Sequence, residues 1–185
     1  MTFARFVLAA CANDPLPEST TTELPPKQFA ESLVQFYMAN IYPMYPAFAS
    51  TYLTRILDSM YQEGSPTIES PESWAFWMVL AIGSTAQSQN TGDEHYQNGL
   101  EYITRALPHS DRALMPGYLS QLSALLLLTQ YSMLDPAHFD SWHLIGFTCR
   151  AVLDLGFHQE LPGAKPSEEL DTRRRTFYSI YALDR

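Results

Sequence analysis

The chain has 185 residues, enough for one domain that buries most of its apolar surface without help from a metal or disulfide. Apolar residues make up 46% and charged residues 17%, which excludes a disordered chain, and a net charge of −9 argues against this segment binding the phosphate backbone by itself. The two cysteines, Cys11 and Cys149, form no C-x-x-C pair, which excludes a structural zinc site; with no N-x-S/T sequon either, they fit a reducing compartment.

Residues 1–12 read MTFARFVLAACA. Arg5 followed by Phe6-Val7-Leu8-Ala9-Ala10 has the outline of a short signal peptide, but the apolar run is minimal and the basic region is a single arginine. Residues 13–26 are rich in proline and threonine and nearly free of large apolar groups. The expectation for 1–26 is a disordered leader or linker, with the structured part spanning 27–185.

Helix follows helix after Pro26. Phe29, Leu33, Phe36, Tyr37 and Ile41 share one helical face, and Pro43 and Pro46 end the segment. Tyr52-Leu53, Ile56-Leu57 and Met60-Tyr61 repeat every four residues until Gly64 and Pro66. Ser70 suits a cap, Pro71 the first helical position and Glu72 the positive helix start, with Trp74, Trp77, Met78, Ala81 and Ile82 following. Tyr96, Leu100, Ile103 and Leu107 form the next stripe, ended by Pro108.

From Gly117 to Leu134 the chain is apolar almost all round, which places it in the middle of the stack. Its serines, glutamines, Gly117 and Pro116 make it a buried core helix and not a membrane span, so no membrane contact is expected. Asp135-Pro136 is expected to open another helix, with Trp142, Ile145, Cys149, Val152 and Leu153 on its buried face and Gly156 near its end. The last helix has Ser167 as its cap and Glu168-Glu169 in its first turn. It runs to Arg185 without a stop signal, so the chain is expected to be cut inside an element. The pattern is all-α, an irregular array of about seven helices around a central apolar helix, truncated at its C-terminus.

Chemistry-bearing patterns are sparse. There is no nucleophile elbow, phosphate loop or dinucleotide fingerprint. His138, Asp140 and His143 come closest to a ligand cluster, but histidines five apart leave a common helix face, and surface polar residues near a helix start are the expectation. His158 at a helix end suits the negative terminus of the dipole. Arg173 and Arg174 fall on the same face as Leu170, Phe177, Ile180 and Tyr181, so they need partners, with Asp154 and Glu101 as candidates. No catalytic, cofactor-binding or metal residue is assigned.

Two long blocks are recognisable. Residues 142–158, from Trp142 through Asp154, Gly156 and His158, resemble the "DLGLH" stretch of the fungal-specific transcription factor domain, the middle homology region of fungal binuclear zinc-cluster regulators. Residues 173–185, with Arg173, Arg174, Arg175, Phe177, Asp184 and Arg185, are similar to that family's "RRRxFWxxYxxDR" block, with Tyr178 where tryptophan is usual. Upstream, Phe36-Tyr37 through Pro46 resembles the opening "YFxxxHPxxP" element, and Leu80-Ala81-Ile82-Gly83 the "LLAIGA" helix.

The resemblance implies an all-helical, nuclear, non-catalytic region of a regulator of transcription by RNA polymerase II. Zinc and DNA contact would belong to a six-cysteine cluster that these residues do not contain. It further implies protein partners and, for some members, a small-molecule effector. Because the family domain continues past the "DR" pair, these residues correspond to its first part. Uncovered apolar surface at Phe177, Tyr178 and Tyr181 is then expected to promote self-association. The alternative reading is a helical interaction module of tetratricopeptide type, suggested by Trp142-x-x-Ile145-Gly146, but that pattern occurs once and a solenoid needs several copies.

Overall fold

The computed structural model describes residues 1–19, 21, 23–62, 71–159 and 167–185. Among them lie helices α1 (Phe3–Cys11), α2 (Lys27–Asn40), α3 (Ser50–Met60), α4 (Pro71–Thr85), α5 (Glu94–Ala106), α6 (Ser110–Ala113), α7 (Leu119–Leu134), α8 (Ser141–Asp154) and α9 (Glu168–Asp184). No strand occurs among the described residues, and the single isolated bridge there joins Ala12 to Phe139.

Four of these helices begin where a side-chain oxygen meets an orphan amide. Thr2 accepts from the Arg5 amide, Asp93 from Tyr96, Asp140 from Trp142 and His143, and Ser167 from Leu170. Three amides, those of Tyr96, Gln89 and Asn90, bond the Asp93 carboxylate and hold its pKa down at about 2. Pro71 begins α4 as its fixed φ favours. The expected Ser70 cap, and the stop at Gly64 and Pro66, lie outside the described residues.

The body of the fold is a pair of helices. Helix α7 is buried on every side from Ala124 to Ser132, as its uncharged sequence requires. Helix α4 is its equal: Ser73 through Thr85 are all buried, and α4 packs against α2, α3, α5, α6 and α7. The centre is therefore two helices and not α7 alone. Trp77 stacks on Tyr102 of α5 at 5.9 Å, and the Arg105 guanidinium lies 3.8 Å from the Trp77 ring centre. Gly83 explains itself at the α2 crossing, where a Cβ would stand 2.7 Å from the Leu33 carbonyl oxygen.

The leader differs from expectation. Ala4, Val7 and Cys11 of α1 are buried, the helix packs on α6 and α8, and Phe3 and Phe6 meet Phe147 edge-on. The amides of Asn13 and Asp14 donate to the carbonyls of His138 and Ala137, and Asp140 donates back to Cys11. Beyond α1 the chain lies along α5, where Thr104 donates to the Pro17 carbonyl and Arg105 to that of Glu23. Ordering comes from these partners, which lie far away in sequence and leave no local periodicity to read.

Two boundaries also differ. Pro108 does not end helical structure, because residues 107–109 form a 3-10 turn leading into α6. Asp135-Pro136 does not open α8. Asp135 is the buried C-cap of α7, where its carboxylate accepts from Tyr96 (2.9 Å) and Tyr131 (3.0 Å) and faces His138 Nδ1 at 2.8 Å. His138 is thus largely buried beside Asp135, and α8 starts only at Ser141.

Candidate functional site: motif blocks around a cavity

Helix α8 ends in a Schellman cap. Gly156 has φ +68°, its amide donates to Leu153, and the Phe157 amide reaches back to Val152. The glycine of the Asp154–His158 block is there because an L side chain resists this left-handed conformation. Arg173 of α9 donates to the Gly156 carbonyl, with its guanidinium 4.5 Å from the centre of the Phe157 ring. The two motif blocks are joined by that contact. The partner is a backbone carbonyl and an aromatic face, in place of the carboxylate of Asp154 or Glu101 expected from the sequence.

The remaining motif residues spread outward. Arg175 pairs with Asp171 at 2.8 Å on the exposed side of α9, and Arg174 is exposed. Phe177 is half-buried and stacks with Tyr181, while Arg185 lies over the Tyr181 ring at 5.0 Å. Asp184 lies beside Cys149, whose thiol is pushed up to about 11 by burial first and by this carboxylate second. Asp154 and His158 are exposed at the end of α8. Tyr178 and Tyr181 are exposed as expected, but Ile180 is buried, together with Thr176 and Ser179.

Trp142 is the clearest reversal. It was expected on the buried face, yet it is 77% exposed, and Leu153 is 53% exposed. The face of α8 that is buried carries Leu144, Thr148, Ala151 and Val152.

The opening block is tied to the last one. Thr176 donates to the Pro46 carbonyl at 3.3 Å, Ser123 to Ala47 at 2.6 Å, and Gln130 to Tyr45 at 2.9 Å. Tyr37 completes the link by donating to Gln130. These bonds hold residues 45–49 between α7 and α9.

A cavity of about 830 Å³ opens there, between that segment, α3, α4, α7 and α9. Phe48, Tyr52, Trp74 and Phe157 give it aromatic walls, Ala124 and Leu127 part of its apolar lining, and Arg173 a cation. Trp74 is 1% exposed, and its indole Nε1 has no hydrogen-bond partner among the described residues. Burial pushes the Tyr52 phenol up to about 12, reinforced by Glu72, so it stays neutral. The sequence reading missed this site. Phe48, Tyr52, Trp74 and Phe157 come from four segments, and only the fold brings them together. No group of three or more metal-type side chains occurs among the described residues, where His138 faces Asp135 and His143 faces Asp140.

The described residues form an all-helical domain whose motif blocks pack around a ligand-sized cavity. The profile of the fungal-specific transcription factor domain matches residues 34–185, and the chain belongs to that family. It is 27% identical to a positive regulator of purine utilization from Emericella nidulans, over 86% of this chain and 18% of that protein. It is 26% identical to a negative regulator of pleiotropic drug resistance from Candida glabrata, over 86% of this chain and 17% of that protein. It is 24% identical to a sorbicillinoid biosynthetic cluster transcription factor from Penicillium rubens, over 90% of this chain and 26% of that protein. The chain thus spans about a quarter or less of these relatives, and it corresponds to the regulatory region of a fungal transcription factor. The tetratricopeptide alternative finds no support. No solved structure matches the chain.

Proposed function

We propose that this chain is a non-catalytic regulatory region that acts in the nucleus on transcription by RNA polymerase II. It answers to protein partners, itself included, and to a small-molecule effector. The observation that carries the reading is the family match across residues 34–185, supported by the physical linkage of the motif blocks through Arg173 and Thr176. Residues 27–185 are the regulatory unit in this reading, with the described leader residues laid against it. DNA contact belongs to a separate DNA-binding domain, and the chain itself holds no cofactor. Among the described residues no helix is long and apolar enough to cross a membrane.

The test is a tethered reporter. The chain, fused to an unrelated DNA-binding domain in a fungal host, is expected to enter the nucleus and change reporter transcription severalfold relative to that domain alone. Transcription identical to the domain alone, with the fusion present in the nucleus, would contradict the reading.

A further inference from the structure

We infer that the cavity between α3, α4, α7 and α9 is a binding site for a flat aromatic small molecule that carries an anionic group. Its size comes first. At about 830 Å³ it falls within the range of about 300–1,000 Å³ in which ligand pockets hold small organic molecules. The walls come next. Phe48, Tyr52, Trp74 and Phe157 offer ring faces and edges from separate segments, and aromatic partners gain from offset or edge-on contact beyond simple burial.

One polar feature then selects among aromatic ligands. Arg173 places a permanent cation on the α9 wall of the cavity, with one of its N–H donors held by the Gly156 carbonyl. A guanidinium in an aromatic-walled cavity favours an oxygen anion over a neutral group, because charge-assisted hydrogen bonds are the stronger ones. Glu168, exposed at the rim, is the one carboxylate among the described lining residues and biases the anionic end away from that edge towards Arg173.

The position gives binding a consequence. The walls belong to the opening motif segment, to α4 and α7 of the body, and to α9, so a ligand here bridges all three. That regulatory meaning rests on the reading of the chain as an effector-responsive region, whereas the binding is tested on the chain alone.

The probes are two fluorescent dyes that differ by one group: anilinonaphthalene sulfonate, and the uncharged N-phenylnaphthylamine with the same rings. Each is titrated into the purified 185-residue chain, with circular dichroism confirming the fold of every variant. Both dyes are expected to saturate a single site, the sulfonate about tenfold tighter, as a charge-assisted hydrogen bond allows. Arg173→Met is expected to erase that difference and Arg173→Lys to restore part of it. Ala124→Phe, which fills the cavity, is expected to abolish both dyes. Equal affinity for the two dyes in the unaltered chain would overturn the inference. So would sulfonate binding that survives Ala124→Phe, since the dye would then sit on an outer patch. Should Ala124→Phe fail to fold, the Arg173 pair still decides. The expected dye pattern beside a silent tethered reporter leaves the site standing and removes the regulatory reading. A responsive reporter with the wrong dye pattern does the reverse.

Discussion

Helices α4 and α7 and helices α8 and α9 are built on different terms. The first pair is apolar on every side, so there is no face to choose and burial follows directly from composition. In the second pair α8 is apolar on more than one side, and tertiary contacts decide which side is covered. On α8 the stripe of Trp142, Ile145, Cys149 and Leu153 is at least as apolar as the one that is buried, Leu144, Thr148, Ala151 and Val152. Thr148 carries no penalty there. Its hydroxyl donates to the Leu144 carbonyl at 2.7 Å, so its one donor is satisfied. A hydrophobic pattern alone thus identifies a buried helix well and a half-buried face poorly.

The largest effect should come from the body. Leu125 is fully buried on α7, and Leu125→Asp places an unpaired charge there, which costs several kcal/mol, about the stability of a small domain. That variant is expected to lose cooperative thermal unfolding, while Thr21→Asp, at an exposed leader position, keeps the parent melting temperature. Equal melting temperatures for the two would remove the distinction between body and periphery.

Next comes the α2–α4 crossing. Gly83→Leu overfills a contact already too close for a Cβ and is expected to cost about 1–3 kcal/mol in urea unfolding. An unchanged midpoint would mean that the helices are not in backbone contact.

A smaller effect belongs to the cap of α5. The Asp93 pKa falls from 3.8 to about 2 on folding, so its contribution is present above pH 4 and is lost as pH falls towards 2. Asp93→Asn, which keeps an acceptor but not the charge, is expected to melt below the parent at pH 7 and to converge with it between pH 4 and pH 2. A gap that widens on acidification would reverse the assignment.

The smallest effect sharpens the contrast between the two pairs. Trp142→Ala, at a residue 77% exposed, is expected to change stability by no more than about 0.5 kcal/mol. A loss of several kcal/mol would mean that the outer stripe of α8 is the covered one.

Much of the fold is legible in the sequence for identifiable reasons. Ser167 has the side chain that a helix start requires, and the uncharged run through Leu125 admits no exposed face. What escapes reading depends on distant partners. Val7 and Cys11 are buried only because α6 and α8 lie against them, and Asp135 turns inward only because Tyr96 and Tyr131 meet it. The candidate site is the extreme case. Arg173 could be read as needing a partner, but neither its carbonyl partner nor the cavity beside it has a local signature.

The measurement that tests this arrangement most directly is amide hydrogen exchange on the purified chain, read helix by helix. If α4 and α7 form the body on which the motif blocks pack, their central amides should exchange last and together, through global unfolding. Helix α9 should exchange earlier, and α1 should be measurably protected because it is packed and not a loose leader. Amides of α8 and α9 outlasting those of α4 and α7, or an α1 that exchanges as fast as an unfolded peptide, would contradict the account.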